Sequence, residues 1–363
     1  MSTTSPTTTP KDEWPKTILI KELHPTFGAE ILGVQWRDDG VISEEQLQEL
    51  RDAYGFIILR ATPLSDASHV SFSRLFASGP LDNITRFLPP SRALRLRYYP
   101  HLELFDASNL SDDGNAILDP FCARAMLLRA NSLWHSDLAY NPRRSSYSLL
   151  RAVELPPPRD PEMEEEQEMG GNTEFADSRT AWEELAVEKK RELLTKDWTG
   201  VYNAAHSRRM GAPEFFKGLD PEEGPVSRHK VVQRHVESGR MNLGVGAYLW
   251  RLEDGEGKTV PESEEMIKFL NEHVAKERYV ASVRWEEPGD LVIWDNRAVL
   301  HRAGEFKGVG KGDVYRRDMR RTTAFDMGPT AWGLNGEGAP LPTLESITKE
   351  KGLPSTQSAA VGR

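Results

Sequence analysis

The chain is nearly free of cysteine. Cys122 is the one thiol among 363 residues, so no disulfide can form within the chain, as is usual for a reducing compartment. Cys122 stands in an apolar stretch with Phe121 and Met126 and reads as a small core residue. Long apolar runs are missing too. No stretch of 18 apolar residues exists to span a bilayer. Met1 to Pro10 is rich in Ser, Thr and Pro without the apolar centre of a secretory signal, and the last residues carry no lipidation or retention signal. The expectation is a cytoplasmic protein without a membrane partner. Positive charge is scarce: Lys and Arg number 46 against 56 Asp and Glu, a net charge of −10. That argues against general nucleic-acid affinity, and an anionic ligand would have to be met by local arginines. No Gly-x-Gly-x-x-Gly follows a strand. The stretch Gly308-Val309-Gly310-Lys311-Gly312 lacks phosphate-loop spacing and reads as a turn.

What is present is a succession of short strand signals. Ile18-Leu19-Ile20 and Ala29-Glu30-Ile31-Leu32 flank a Pro-Thr-Phe-Gly turn, and Phe56-Ile57-Ile58-Leu59 reads as a buried strand. Ser43 to Tyr54 reads as a helix. Ser43 is its cap, Gln46 completes a capping box, Leu47, Leu50 and Tyr54 mark one face, and Gly55 ends it. Further helices are expected over 177–194 and 263–277, the second with Ser263 as cap and Ile267, Leu270 and Val274 on one stripe. Tyr279 to Trp285 alternates as a strand. Pro288-Gly289-Asp290 turns into the buried strand Leu291-Val292-Ile293-Trp294, which ends shortly before His301. Residues 161–169 are strongly acidic and read as a solvated loop. Helices near the start and in inserts do not alternate regularly with strands. The pattern favours a mainly β architecture with helical decoration, a barrel or jelly roll, over a doubly wound sheet.

Two groups of side chains carry chemistry. His135 and Asp137 are two apart, so on a strand both leave the same face. A second imidazole from a distant strand would complete two His and one carboxylate, the facial set of non-haem Fe(II) oxygenases. The spacing alone is common. If residues 315–325 form a strand, Arg317, Met319, Arg321, Thr323 and Phe325 share one face, while Arg316, Asp318 and Arg320 share the other. Two arginines on one face offer two guanidinium forks for carboxylates.

Four blocks occur in order: Trp134-His135-Ser136-Asp137; Gly170-Gly171-Asn172-Thr173-Glu174-Phe175-Ala176-Asp177; Trp294-Asp295-Asn296-Arg297-Ala298 with His301-Arg302; and Arg316-Arg317-Asp318-Met319-Arg320-Arg321-Thr322-Thr323. Together they resemble the taurine / 2,4-dichlorophenoxyacetate dioxygenase family of Fe(II)- and 2-oxoglutarate-dependent enzymes. The second and fourth blocks bring the chain closer to the 2,4-dichlorophenoxyacetate branch. The resemblance runs from about residue 16 to 326. It implies a double-stranded β-helix (jelly roll), with a disordered tail over 1–15, one oxygenase domain over 16–330 and a C-terminal extension over 331–363. It also implies that His135, Asp137 and His301 bind Fe(II), that Thr173 and Arg317 bind the distal carboxylate of 2-oxoglutarate, and that Arg321 meets an anionic group of the substrate. Asn131, His206, Asn109 and Phe325 join the substrate-binding set. Trp134 reads as packing, and His24, His69, His101, His229, His235 and His273 as structural or solvated. The gap between His301 and the arginines is longer than usual for the family, which leaves Arg316 and Arg317 as alternatives for 2-oxoglutarate. The acidic insert lengthens a segment, 138–172, that can lie over the site as a lid.

The implied reaction consumes 2-oxoglutarate and O₂, releases succinate and CO₂, and oxidises an unactivated C–H of a small carboxylate or sulfonate. Two alternatives stand beside it. One is desaturation or oxidative cyclisation of an amino acid or natural-product intermediate. The other is a non-catalytic binding module on the same fold. Members of such a family are often homodimers or tetramers, and the sequence does not choose.

Overall fold

A computed structural model of the protein describes residues 18–37, 42–51, 55–77, 79–87, 97, 99–157, 170–304 and 315–348. The expected tail over 1–15, Tyr54, the acidic run 161–169 and the Gly-rich run 308–312 lie outside the described residues.

A seven-stranded sheet forms the backbone of the fold. Its order is Leu19–His24, Gly28–Leu32, Phe56–Leu59, Leu291–Asp295, Ser145–Glu154, Asp318–Phe325 and Phe105–Asp106. All neighbours are antiparallel except Gly28–Leu32 with Phe56–Leu59. The run Phe56-Ile57-Ile58-Leu59 shows why a continuously apolar strand sits here. Ile57 and Leu59 face a cluster with Leu47, Leu50, Phe72 and Phe76 from the helices Glu44–Arg51 and Asp66–Ala77. Phe56 and Ile58 face the other way, as a side-chain period of two requires. On that second face lies a three-stranded sheet in the order Val280–Val283, Thr173–Asp177, Val299–Ala303. Phe175, Ala281, Val283 and Val299 pack there against Leu150, Val292, Trp294 and Met319. The Phe56 and Phe175 rings stack at 4.5 Å. The two sheets therefore close over one apolar layer.

A larger cluster lies beside this layer. It gathers a second three-stranded sheet (Leu249–Glu253, Thr199–Asn203, Val226–Lys230) and the helices Ser178–Glu183, Val187–Lys196, Ala204–Gly211 and Ser263–Val274. Helix and strand take 27% and 28% of the structure, so it is mixed and sheet-rich rather than mainly β as the pattern suggested. The difference lies in short helices such as Ala123–Leu128, which are too brief to show a 3.6-residue period.

Most expected elements form, with shifted ends. Ser43 Oγ accepts from Gln46 N at 3.2 Å, as a cap should. The Gln46 side chain does not complete the box; it bonds Gly33 O and Gln35 N instead. The helix expected over 177–194 is two helices, Ser178–Glu183 and Val187–Lys196, broken by the extended backbone of Ala186. Ser263 is not the cap of its helix. It lies inside the first turn, and its hydroxyl accepts from Leu252 N. Cys122 is not a core residue: Phe121 is exposed, and the thiol caps the helix Ala123–Leu128 by accepting from Ala125 N. Within 138–172, the segment that can lie over the site as a lid, Ser145–Glu154 is a central strand bonded on both sides, so that part is fixed in the sheet. Among the described residues no helix is long and apolar enough to cross a membrane.

Candidate functional site

His135 does not sit on a strand of any sheet. It forms an isolated bridge with His301, which lies on Val299–Ala303. His135 N donates to His301 O at 3.0 Å and His301 N to His135 O at 2.9 Å. That pair joins two segments 166 residues apart and brings their rings to 4.2 Å between centroids. Asp137 follows at the start of a turn whose next residue, Leu138, has φ 56°. Convergence is thus achieved by a bridge and a turn, not by the expected strand. Ligand atoms of His135, Asp137 and His301 all lie within 4.8 Å of one another, and all three residues are buried.

The polar surroundings orient each group. His135 Nδ1 bonds Leu133 O at 2.7 Å, which leaves Nε2 for the centre of the site. Asp137 Oδ2 accepts from Ser148 Oγ at 2.7 Å, and Asp137 N donates to Asn296 Oδ1 at 2.9 Å. Asn296 Nδ2 in turn donates to Ser148 Oγ at 2.9 Å. His301 is different. Its ring packs beside Trp294 at 4.6 Å and Phe175 at 6.2 Å, and neither ring nitrogen has a hydrogen-bond partner among the described residues. Burial holds both imidazoles below their ordinary range, so they are neutral. Burial alone would raise the Asp137 carboxyl, but the Arg321 guanidinium, helped by the Ser148 hydroxyl, holds it low, and it is ionised. Gly246 presses on this bridge from outside. A Cβ there would meet Trp134 O at 2.9 Å and His135 Cα at 3.2 Å, and its φ of +110° is strained for other residues.

Among the cavities that border this cluster, two share Asn131 and Arg321. The larger, about 320 Å³, is lined by His135, His301, Thr173, Trp294, Arg317 and Arg321 among others. Arg317 makes no ion pair among the described residues. Its Nη2 donates only to Gly171 O at 3.3 Å, and burial pushes the guanidinium down to about 10. It remains a cation at neutral pH with no counter-ion. Thr173 Oγ1 accepts from Trp285 Nε1 at 3.1 Å. The smaller chamber, about 50 Å³, lies on the Asp137 side and is lined by Phe105, Arg208, Tyr248, Arg321, Leu344 and Ile347 among others. Arg321 borders both spaces. Its Nη1 pairs with Asp137 Oδ1 at 2.6 Å, while its buried Nε has no partner.

The expected site residues fall into three groups. Arg317, Arg321, Thr173, Asn131 and the three metal candidates come together, with Asn131 on both cavities. Asn109 lines the larger cavity, where its amide oxygen accepts from Arg317 N and its nitrogen donates to Tyr315 O. It therefore positions the start of the arginine strand. Arg316 points away and pairs with Glu154. His206 and Phe325 line neither cavity. Phe325 packs in the helix-rich cluster, with Arg143 over its ring.

Arg208, two residues beyond His206, lines the smaller chamber; its Nη1 bonds Leu127 O at 2.7 Å and its buried Nε has no partner. On the helix Ala204–Gly211 the buried Ala204 and Ser207 share a face with Arg208, so the spacing i, i+4 was the signal that would have found it. Ser148 and Tyr248 were missed because nothing in their local sequence distinguishes them. A second cluster of His235, Glu237 and Asp295 is already filled by Arg297, which reaches Asp295, Glu237 and Asp326.

The sequence model of the family described as "Taurine catabolism dioxygenase TauD, TfdA family" matches residues 19–323. The alpha-ketoglutarate-dependent 2,4-dichlorophenoxyacetate dioxygenase of Cupriavidus pinatubonensis is 32% identical over 314 residues, covering 85% of this chain and 98% of that protein. The alpha-ketoglutarate-dependent sulfate ester dioxygenase of Pseudomonas putida is 27% identical, covering 87% and 92%. Among solved structures, that of AAD-2 in complex with Mn(II) and N-oxalylglycine superposes with a TM-score of 0.68 at 26% identity, covering 86% of this chain and 98% of that one.

Proposed function

The chain belongs to the TauD, TfdA family of taurine catabolism dioxygenases, and on that premise we propose that it is an Fe(II)- and 2-oxoglutarate-dependent dioxygenase. Its fold in this reading is the double-stranded β-helix, and it oxidises an unactivated C–H of a small carboxylate or sulfonate. One observation carries the reading. A single cavity holds a buried imidazole with no hydrogen bond, His301, and a half-buried guanidinium, Arg317, that makes no ion pair among the described residues. Orphaned buried groups are costly, and a metal ion with a dicarboxylate relieves both.

The residues fit the metal. Two neutral imidazoles and one carboxylate on one side hold Fe(II) while leaving sites open for small ligands. Bound there with 2-oxoglutarate and O₂, iron supplies the oxidising chemistry in which 2-oxoglutarate becomes succinate and CO₂ and the second oxygen atom serves the substrate. The chain does the rest. Ser148 fixes the Asp137 carboxylate, and Asn296 holds the Asp137 backbone N and the Ser148 hydroxyl. Arg317 and Thr173 hold the far carboxylate of 2-oxoglutarate, with Trp285 fixing the Thr173 hydroxyl. Arg321, through its unpartnered Nε, and Asn131 take the anionic group of the substrate. The apolar walls of the smaller chamber exclude water around the reacting carbon. The relatives named above act on an aryloxyacetate and on sulfate esters by their names, which sets the chemistry of the first panel to try.

The test has two steps. Fe(II) and 2-oxoglutarate are titrated into the protein without oxygen, and a visible charge-transfer band should grow only when both are present. Absence of that band overturns the reading. Carboxylates, sulfonates and sulfate esters are then screened for succinate release, and product mass separates oxygen insertion from loss of two hydrogens.

A further inference from the structure

The chamber beside Asp137 has a wall that the family match does not contain. The match ends at residue 323, yet Leu344 and Ile347 line the same chamber as Asp137 and Arg321. Both are buried, at 4% and 5% exposure. They are three apart on the helix Leu344–Thr348, hence on one face.

The route to that wall is stitched down at intervals. Asp326 accepts from Arg144 Nε at 3.0 Å. Arg144 N donates to Ala331 O at 3.0 Å, and Leu334 N to Arg228 O at 3.0 Å. The Asn335 amide bonds Arg228 N and Pro142 O. Arg86 Nη1 donates to Pro342 O at 2.6 Å. The short helix is then fixed by a reciprocal pair: Ser346 N donates to Thr343 Oγ1 at 3.1 Å and Thr343 N to Ser346 Oγ at 2.9 Å. Apolar side chains held this firmly against a small space set its shape, because packed interiors do not deform freely.

We propose that the segment following the arginine strand forms the end wall of the substrate chamber, and that Leu344 and Ile347 determine how long an acid the chamber accepts. The inference rests on the reading above that this chamber receives an anionic substrate. Arg321, joined by Arg208, meets the anionic group, and the apolar body of the acid extends toward Leu344 and Ile347. The residues that choose the substrate then lie partly outside the family's shared core. A chamber of about 50 Å³ with two aliphatic side chains at its end is a length gauge, and removing or enlarging them should move the gauge in opposite directions.

The experiment uses the full chain loaded with Mn(II) and 2-oxoglutarate, which reports binding without turnover. Affinities for a series of straight-chain and aryloxy carboxylates of increasing length are measured by calorimetry for wild type, Leu344→Ala/Ile347→Ala and Ile347→Trp. The double alanine variant should shift the ratio of long-acid to short-acid affinity upward by roughly tenfold, and the tryptophan variant downward by roughly tenfold. Affinity for 2-oxoglutarate, measured separately, should stay within about twofold in both, which also shows that each variant is folded. Wild-type binding with an unchanged length preference in both variants overturns the wall. A wild-type protein that binds none of the acids overturns the reading on which the wall rests, and the wall with it.

Discussion

The two cavities that flank His135, Asp137 and His301 are built in different ways. The larger is assembled from short motifs: Thr173 and His301 on paired strands, His135 on its bridge to His301, and Arg317 just ahead of the strand Asp318–Phe325. The smaller draws on Phe105, Arg208, Tyr248, Leu344 and Ile347, from four separated parts of the chain. One holds a guanidinium without an ion pair beside an imidazole without a hydrogen bond, among the described residues. The other pairs its arginine with Asp137. The contrast matches a division of labour. A co-substrate common to a family needs one fixed arrangement, and a substrate that differs between members is met by walls taken from wherever the fold supplies them.

The comparison can be broken at several points. Replacing His301 or Asp137 by Ala should abolish both tasks at once. Succinate formation should fall by more than ~1000-fold, and the charge-transfer band should vanish; turnover near wild type would refute the metal cluster. Arg317→Met acts on one cavity. Loss of a charge-assisted pair costs ~3 kcal/mol, so the KM for 2-oxoglutarate should rise about 100-fold with substrate affinity little changed. Arg321→Met acts on the other and should raise the substrate KM about 30-fold. Ser148→Ala removes the hydroxyl that steadies Asp137, and metal affinity should fall about tenfold, read by competition with a chelator. Arg316→Ala, which removes the pair with Glu154, should leave the thermal unfolding midpoint and both KM values nearly unchanged. A large effect there would reverse the assignment of the two neighbouring arginines.

Legibility followed the same divide. The strands Phe56–Leu59 and Leu291–Asp295 were readable because burial on both faces leaves an unbroken apolar run. The arginine register was readable because a period of two separates Arg317 and Arg321 from Arg316 and Arg320 whatever lies around them. The bridge that brings His135 to His301 was not, since pairing across 166 residues leaves no local trace; the family blocks supplied it. His206 stood out by chemical type, while Arg208 does the lining because the helix Ala204–Gly211 turns that face inward. The wall at Leu344 and Ile347 was invisible for a related reason. Five residues of helix show no period, and their partners Ile84, Leu127 and Leu128 lie more than two hundred positions away.

The central claim is that Arg317, just ahead of the strand Asp318–Phe325, and Arg321 within it serve two different anions. It is tested most directly by calorimetry of 2-oxoglutarate binding to Mn(II)-loaded wild type, Arg317→Met and Arg321→Met. The account predicts a loss of about 100-fold in Arg317→Met and less than about threefold in Arg321→Met. Equal losses in the two variants, or a loss confined to Arg321→Met, would contradict it.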